Sequence, residues 1–503
     1  MLDTQQKTKT YQTYIDGKWV DAASGKTFET LDPYTGETWA LIPECDDTDV
    51  NRAVEAAYRA FETGSWPNMT PTMRGKKLRL IGDLIAKHSE HLAGIEVRDN
   101  GKLISEMAAQ TRYIPEWFYY YGGLADKIQG AVVSVDRLEH FNYILREPVG
   151  VCAFITPWNS PLMLTSWKLA PALAAGCTVV IKPSEYTSAS LLEFMQLVIA
   201  EADIPPGVVN VVTGYGAVAG EPLVKHPKVA KIAFTGGTAT GARVNALAAQ
   251  TFKKVSLELG GKSPNVVFDD CILEDAVSGA VAGIFAATGQ TCIAGSRLLL
   301  QETIHDVFVE KLVAMAKQAR LGDPSKPETQ VGPVTTPPQY EKILSYIDIA
   351  KAEGCTCVLG GGPATKEEGG GRYFVKPTIF TGVDNKMRIA QEEVFGPVLS
   401  VIKFKDEEDA VRIANEIAYG LGAGVWTQSV KRAHNMARRI KAGTVWVNTY
   451  RAVSFLMPFG GYKASGLGRE NGAEAIDGYL QSKSVWINNG PGGGNPFIMK
   501  TAS

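Results

Sequence analysis

Two kinds of hydrophobic pattern divide this chain. From residue 47 to about 124 apolar positions recur three or four apart, as in "DVNRAVEAAYRAFETG" and "MRGKKLRLIGDLIAKHSEHLAGIEVRDNG", which predicts amphipathic helices. Asp47 or Thr48 is placed to cap the first of them. From residue 149 the pattern changes. "VGVCAFITP", "CTVVIKPSE", "GVVNVVTG" and "KVAKIAFTGG" are short and almost continuously apolar, and helical stretches such as "LMLTSWKLAPALAAG", "ASLLEFMQLVIAEA" and "AVAGEPLVKH" separate them. Buried strands alternating with helices predict a parallel sheet covered on both faces, a doubly wound α/β layout. Ligand sites in such a sheet lie beyond the carboxyl ends of its strands.

After about residue 261 the alternation resumes, with strands expected at "SPNVVFDD", "TCVLGGG", "KPTIFTGV", "VLSVIKF", "GAGVWT" and "GTVWVNT", so a second α/β domain follows. "HFNYILREPVG" alternates apolar and polar positions and "SVWIN" near the end resembles it. Each is a candidate edge strand, for pairing with another subunit or for covering a sheet edge within this chain. The tail "NNGPGGGNPFIMKTAS" is rich in Gly and Pro and is expected to be extended.

At 503 residues the chain is too long for one ordinary core. Its net charge of −2 gives no general attraction to nucleic acid or anionic membranes. The apolar-rich runs 169–181 and 276–287 are too short to cross a bilayer, and the start lacks the pattern of a signal peptide. Seven scattered cysteines, an odd number, argue for a reducing compartment over a disulfide framework. A cytoplasmic protein is expected. No metal site is expected either: Cys355 and Cys357 have no second Cys/His cluster nearby, and His88 and His91 fit a charged helix face.

Six stretches carry candidate chemistry. "GQTCIAGSR" sets Cys292 among small and polar residues. "SLELGGKSPN" places Glu258 in an apolar stretch, where a raised pKa suits a general base; pairing with Lys262 is the plainer reading. "ITPWNSPL" offers the Asn159 amide to an oxyanion, although an Asn beside Pro is commonly a turn residue. "KIAFTGGTATG" puts Phe234, Thr235, Gly236 and Gly237 at a strand-to-helix turn suited to a pyrophosphate. "VVIKPSE" places Lys182 and Glu185 on the same rim, either for ribose hydroxyls or as solvated charges. Gly214-Tyr-Gly216-x-x-Ala219 nominally fits a dinucleotide fingerprint, but the usual downstream acidic residue is missing and a tight turn needs glycines anyway.

Together, "FITPWNSPL", "KPSE", "FTGG", "LELGGKSPN", "GQTCIAGSR", "EEVFGPV" and "PFGGYKASGLGRE" stand in the order and spacing of the NAD(P)⁺-dependent aldehyde dehydrogenase superfamily, which the chain resembles over nearly its whole length. The resemblance implies two Rossmann-like α/β domains and a small β oligomerisation extension. Residues 1–125 and 149–260 would form the NAD-binding domain, 261–478 the catalytic domain, and 126–148 with 479–503 the extension and tail. A homodimer or homotetramer is implied.

Carried over residue by residue, the resemblance makes Cys292 the nucleophile and Glu258 the base that activates water for deacylation. Asn159 and the Cys292 N–H would form an oxyanion hole, worth roughly 3–4 kcal/mol per donor in comparable sites. Ile155, Thr156, Pro157, Trp158, Lys182, Ser184 and Glu185 would bind cofactor. So would Gly214, Gly216, Phe234, Thr235, Gly236, Gly237, Leu259, Glu393 and Phe395. NAD⁺ is favoured, with NADP⁺ possible, because Glu185 would accept from a ribose 2′-OH and repel a 2′-phosphate. Ser160, Leu164, Trp167, Ile293, Phe455 and Phe459 would line an aldehyde tunnel with Arg451 near its entrance, placed for a substrate carboxylate or for holding a loop. Two departures stand out: Gly237 replaces a common serine, and Ser160 replaces a common bulky aromatic, which implies a wider or more polar mouth.

Three rival readings remain at this level. A CoA-acylating dehydrogenase would not need Glu258. A cysteine hydrolase would need a histidine beside Cys292. A non-catalytic scaffold would need none of Cys292, Glu258 and Asn159.

Overall fold

The computed structural model describes residues 8–492, 495 and 497. The helical region begins one residue earlier than the pattern implies. Asp46, not Asp47 or Thr48, caps the helix Asp47–Glu62, because its carboxylate reaches the N–H groups of Thr48 and Asp49 while Asp49 reaches back to Asp46. The helix Pro71–Asn100 follows, capped by Thr70 and closed by Gly101 at φ +74°. Ile104–Tyr113 and Pro115–Leu124 complete the helical layer.

The strands expected after residue 149 form a six-stranded sheet. Its order is Val209–Val211, Thr178–Lys182, Val151–Ile155, Val229–Thr235, Lys254–Glu258, Gly466–Leu467. The first five run parallel and the last is antiparallel. Burial on both faces explains their continuously apolar sequences. The strand Gly466–Leu467 returns to this sheet from within the stretch expected to build the second domain.

The second sheet has seven strands. The order is Thr356–Leu359, Thr378–Thr381, Val398–Phe404, Arg297–Gln301, Pro264–Val267, Gly422–Trp426, Thr444–Val447, parallel except at the Thr356–Leu359 edge. One central member, Arg297–Gln301, is not evident from the pattern, because its run follows the small-residue Cys292 segment without a break and opens on a charge. The structure explains that charge. The buried Arg297 guanidinium donates to the carbonyls of Lys262, Ile413 and Ala414 and to Asn385, so its donors are met inside the core.

The two alternating segments pair with each other. Leu480–Asn488 runs antiparallel to His140–Pro148 over nine residue pairs, and Ala131–Val132 adds a third strand. The glycine-rich tail lies largely outside the described residues. No described helix is long and apolar enough to cross a membrane, and no described group of His, Cys, Asp or Glu is arranged to hold a metal. Cys355 and Cys357 do not share a partner: one thiol faces Met387 and the other the Leu359 carbonyl.

Candidate active site

The carboxyl ends of the first sheet supply one wall of a cleft. Val151–Ile155 runs out into the loop that carries Pro157, Trp158 and Asn159 before the helix Pro161–Ala175. Val229–Thr235 delivers Thr235, Gly236 and Gly237, and Lys254–Glu258 ends on Glu258, whose carbonyl accepts from the Gly236 N–H at 3.0 Å. The helix Thr238–Ala249 then starts at Gly237 with no side-chain cap, leaving its first N–H groups facing the cleft.

The second domain supplies the other wall. After the helix Leu273–Phe285 the chain makes three successive left-handed residues, Ala287, Thr288 and Gly289, and this abrupt turn carries Cys292 toward the first sheet. Non-glycine residues in that region are strained and must be held. The Ala287 N–H donates to Glu106 at 2.7 Å, Thr288 donates to the Gly332 carbonyl, and Gln290 bonds Pro333 and Thr335 through both ends of its amide. A Cβ on Gly289 would lie 2.1 Å from the Gly396 carbonyl, so only glycine fits there. Phe395, also left-handed, is fixed by Gln339, which donates to the carbonyls of Val394 and Phe395. Its ring meets Trp158 edge-on at 5.3 Å.

Cys292 lies where two clefts meet. One, of about 640 Å³, is lined by Pro157, Trp158, Thr235, Gly236, Gly237, Leu259, Glu393 and Phe395 together with Asn159, Glu258 and Cys292. The other, of about 950 Å³, is lined by Ser160, Leu164, Trp167, Ile293, Arg451 and Phe459, again with Asn159 and Cys292. Leu164 faces both. No histidine lines either cleft among the described residues.

Burial pushes the Cys292 thiol up to about 12, with Glu258 and Glu393 adding to the rise and its own backbone N–H and Lys102 opposing it. Burial thus favours the neutral thiol over the thiolate. Glu258 is buried and both carboxylate oxygens lack a hydrogen-bond partner. Burial and then the neighbouring Glu470 raise its pKa well above the usual range, against Lys168 and Arg469. The plainer pairing with Lys262 does not form: the Lys262 ammonium is buried without a hydrogen-bond partner. The Asn159 amide donates to the Gln290 carbonyl at 3.0 Å, which orients it and leaves its second N–H for the cleft.

Glu393 accepts from the Gly261 N–H at 2.9 Å, and a Cβ on Gly260 would lie 2.5 Å from its carboxylate. Lys182 and Glu185 face each other at 3.7 Å beyond the cleft on the same sheet rim, and the Thr156 N–H donates to the Lys182 carbonyl. Thr156 has a buried hydroxyl with no partner. Not every expected contact residue reaches the clefts. Phe234 is 3 % exposed and supports Gly236 from below, Ile155 packs against the core, and the Ser184 hydroxyl accepts from the Tyr186 N–H in its own turn. Gly214 is demanded by packing, since at φ +118° a Cβ would come 2.9 Å from the Cys45 carbonyl; Gly216 stands in open space. Phe455 sits a layer behind the tunnel wall, against the rings of Tyr113, Trp117 and Tyr120.

The sequence reading missed a buried chain behind Glu258. Lys168 pairs with Glu470 and donates to Thr235 Oγ1 at 2.7 Å. A lone lysine in the otherwise apolar helix "LTSWKLAPALAAG" was the available signal. Gln339 and Lys342 line the cofactor-side cleft from a helix with no motif to mark it.

The aldehyde dehydrogenase family model matches residues 19–485. Over 479 residues the chain is 47 % identical to the (Z)-2-((N-methylformamido)methylene)-5-hydroxybutyrolactone dehydrogenase of Acinetobacter baylyi, covering 95 % of this chain and 96 % of that one. It is 46 % identical to aldehyde dehydrogenase family 2 member C4 of Arabidopsis thaliana, covering 94 % of each. Among solved structures, betaine aldehyde dehydrogenase of Staphylococcus aureus in complex with NAD⁺ superposes with a TM-score of 0.95 at 41 % identity, covering 97 % of each chain. The NAD⁺ complex of an aldehyde dehydrogenase from Bacillus cereus gives 0.93 at 44 %, covering 95 % of this chain and 97 % of that one. With a family model spanning most of its length and relatives this similar across almost all of it, the chain belongs to the aldehyde dehydrogenase family.

Proposed function

We propose that the protein oxidises an aldehyde to its carboxylic acid with NAD⁺, through a covalent intermediate on Cys292. The observation that carries this reading is the position of the thiol: Cys292 and Asn159 stand at the junction of two clefts, and Glu258 opens on only one of them. The cofactor-side cleft fits a dinucleotide. It offers the free N–H groups at the start of the helix Thr238–Ala249 and a carboxylate held by a backbone N–H at Glu393. NAD⁺ in two similar structures supports the choice, and Glu185 on the rim favours it over NADP⁺.

In this mechanism Cys292 Sγ attacks the carbonyl carbon and its proton passes to Glu258. Asn159 and the Cys292 N–H hold the oxyanion. The nicotinamide, when bound, accepts the hydride that the tetrahedral adduct expels. A thioester on Cys292 remains; Glu258 first releases the thiol's proton to solvent and, ionised again, draws a proton from the water that hydrolyses the thioester. The Lys168–Glu470 pair and Arg469 set charges near a Glu258 carboxylate that has no hydrogen-bond partner of its own. A CoA-acylating enzyme would leave that apparatus without a task, and a cysteine hydrolase would lack its histidine.

One face of the three-stranded sheet exposes Val132, Phe141, Leu145 and Ile487, an apolar surface that supports self-association through this extension. The free cysteines fit a reducing compartment such as the cytoplasm. The test is a panel of aliphatic, aromatic and carboxylated aldehydes with NAD⁺, followed by NADH absorbance. NADH formation with acid product is expected; no NADH from any aldehyde by enzyme that binds NAD⁺ overturns the reading.

A further inference from the structure

The substrate-side cleft is apolar along most of its wall, yet two cations stand within electrostatic reach of Cys292 at its inner end, Arg451 and Lys102. Arg451 lines the cleft; its Nη1 donates to the Ala282 carbonyl at 3.2 Å, and its guanidinium forms no ion pair among the described residues. Lys102 lies behind the wall, 2 % exposed, and its ammonium donates to Ser160 Oγ at 2.9 Å. The nearest carboxylates are engaged elsewhere. Glu106 accepts from the Ala287 N–H and Glu96 from the Leu162 N–H. Glu106 and Glu96 act on the Lys102 ammonium through space without forming an ion pair, and its one hydrogen-bonded side chain is the neutral Ser160 hydroxyl.

Ser160 stands at the start of the helix Pro161–Ala175, where a serine ordinarily caps by accepting from the first-turn N–H groups. It makes no such bond, since Glu96 accepts from Leu162 instead. The hydroxyl is thereby free to accept from Lys102, and its own O–H then has no acceptor among the described residues while lying on the cleft wall. A donor polarised by a cation behind it, near an unpaired guanidinium, is complementary to an anion.

We propose that Ser160 and Arg451, with Lys102 as the positioning residue behind Ser160, form a carboxylate-binding subsite, so that the preferred substrate is a short aldehyde bearing a carboxylate. This rests on the aldehyde-oxidation reading and adds the substrate class. The carboxylate accepts from the Ser160 O–H and the Arg451 N–H groups while the carbonyl reaches Asn159 and Cys292. The chain between the two groups is short, because Ser160 directly follows Asn159. Glu106 faces both cations and Glu96 faces Lys102, yet neither carboxylate pairs with Arg451, whose guanidinium on the cleft wall stays open to a monoanion.

The experiment compares kcat/KM for 4-oxobutanoate with that for butanal, which lacks the carboxylate, at saturating NAD⁺. The intact enzyme is expected to favour 4-oxobutanoate by about tenfold or more. Arg451→Gln, Lys102→Met and Ser160→Ala are each expected to cut that ratio about tenfold, mainly through KM for the anion. Ser160→Ala reads the same contact should Lys102→Met fail to fold. An intact enzyme that oxidises butanal as well as 4-oxobutanoate overturns the subsite. So do variants that lose both substrates by one factor. Absence of NADH from both of these aldehydes, with NADH formed from another member of the panel, also overturns the subsite, whereas absence of NADH from the whole panel, with NAD⁺ bound as judged by thermal shift, overturns the oxidation reading instead.

Discussion

The two clefts that meet at Cys292 are built on different principles. The cofactor-side cleft is largely a main-chain construction: strand ends, a helix start without a side-chain cap, and glycines whose missing Cβ leaves room at Gly260 and Gly289. The substrate-side cleft is a side-chain construction, with Trp167 and Phe459 packed edge-on at 5.2 Å and the Lys102–Ser160 contact behind the wall. A main-chain wall recognises what every reaction of the site shares. A side-chain wall can be exchanged one residue at a time, so it is where selectivity resides.

Substitutions can break that division at graded cost. The largest effect is expected at the junction itself. Cys292→Ala should lower kcat by about 10⁴-fold or more while NAD⁺ still binds, read by NADH formation and by titration of the bound cofactor. Retained turnover would show that the clefts meet at the wrong atom. Asn159→Ala should cost about 10²–10³-fold in kcat with a smaller change in KM, because the amide matters most once the oxyanion forms. A change confined to KM would make Asn159 part of the substrate wall.

Glu258→Gln should slow deacylation by about 10²-fold, leaving an NADH burst and an acylated Cys292 visible by intact mass. Sign matters here. Only the ionised carboxylate draws a proton from water, and burial has raised the Glu258 pKa, so the intact enzyme's deacylation rate should climb with pH through that raised value. The Gln variant should lose the climb; a profile shared by both would assign the proton transfer elsewhere. The smallest effect is expected from Gly237→Ser. A Cβ there meets nothing within 4 Å, and the added hydroxyl supplies one more donor at the helix start. NAD⁺ should bind a few-fold tighter, in keeping with about 0.5–1.5 kcal/mol for one hydrogen bond, with aldehyde selectivity unchanged. Altered selectivity would mean that the two walls are not separable.

The same division explains what the sequence disclosed. Buried parallel strands announce themselves as continuous apolar runs, and the turns at their ends carry glycines and prolines, so the doubly wound layout and most of the main-chain cleft were readable. Arg297–Gln301 escaped because a satisfied buried arginine looks like a surface residue until its four acceptors are brought together from distant segments. Lys102 and the Lys168–Glu470 pair escaped for a related reason. A single lysine, whether in a polar turn as at Lys102 or in an apolar helix as at Lys168, has meaning only when its partner is known, and these partners lie 58 and 302 residues away. Phe455 was placed on the tunnel wall by its position in sequence, whereas an aromatic cluster draws it one layer back.

The short strand Gly466–Leu467 carries a consequence for the order in which the protein comes into being. It closes the edge of the first sheet beside Glu258, and Glu470 follows it directly into place beside Lys168. A nascent chain long enough to expose Cys292 outside the ribosome still lacks both. During synthesis Cys292 and Glu258 thus emerge before the strand and the ion pair that complete their surroundings, and this part of the fold closes only when translation is nearly done.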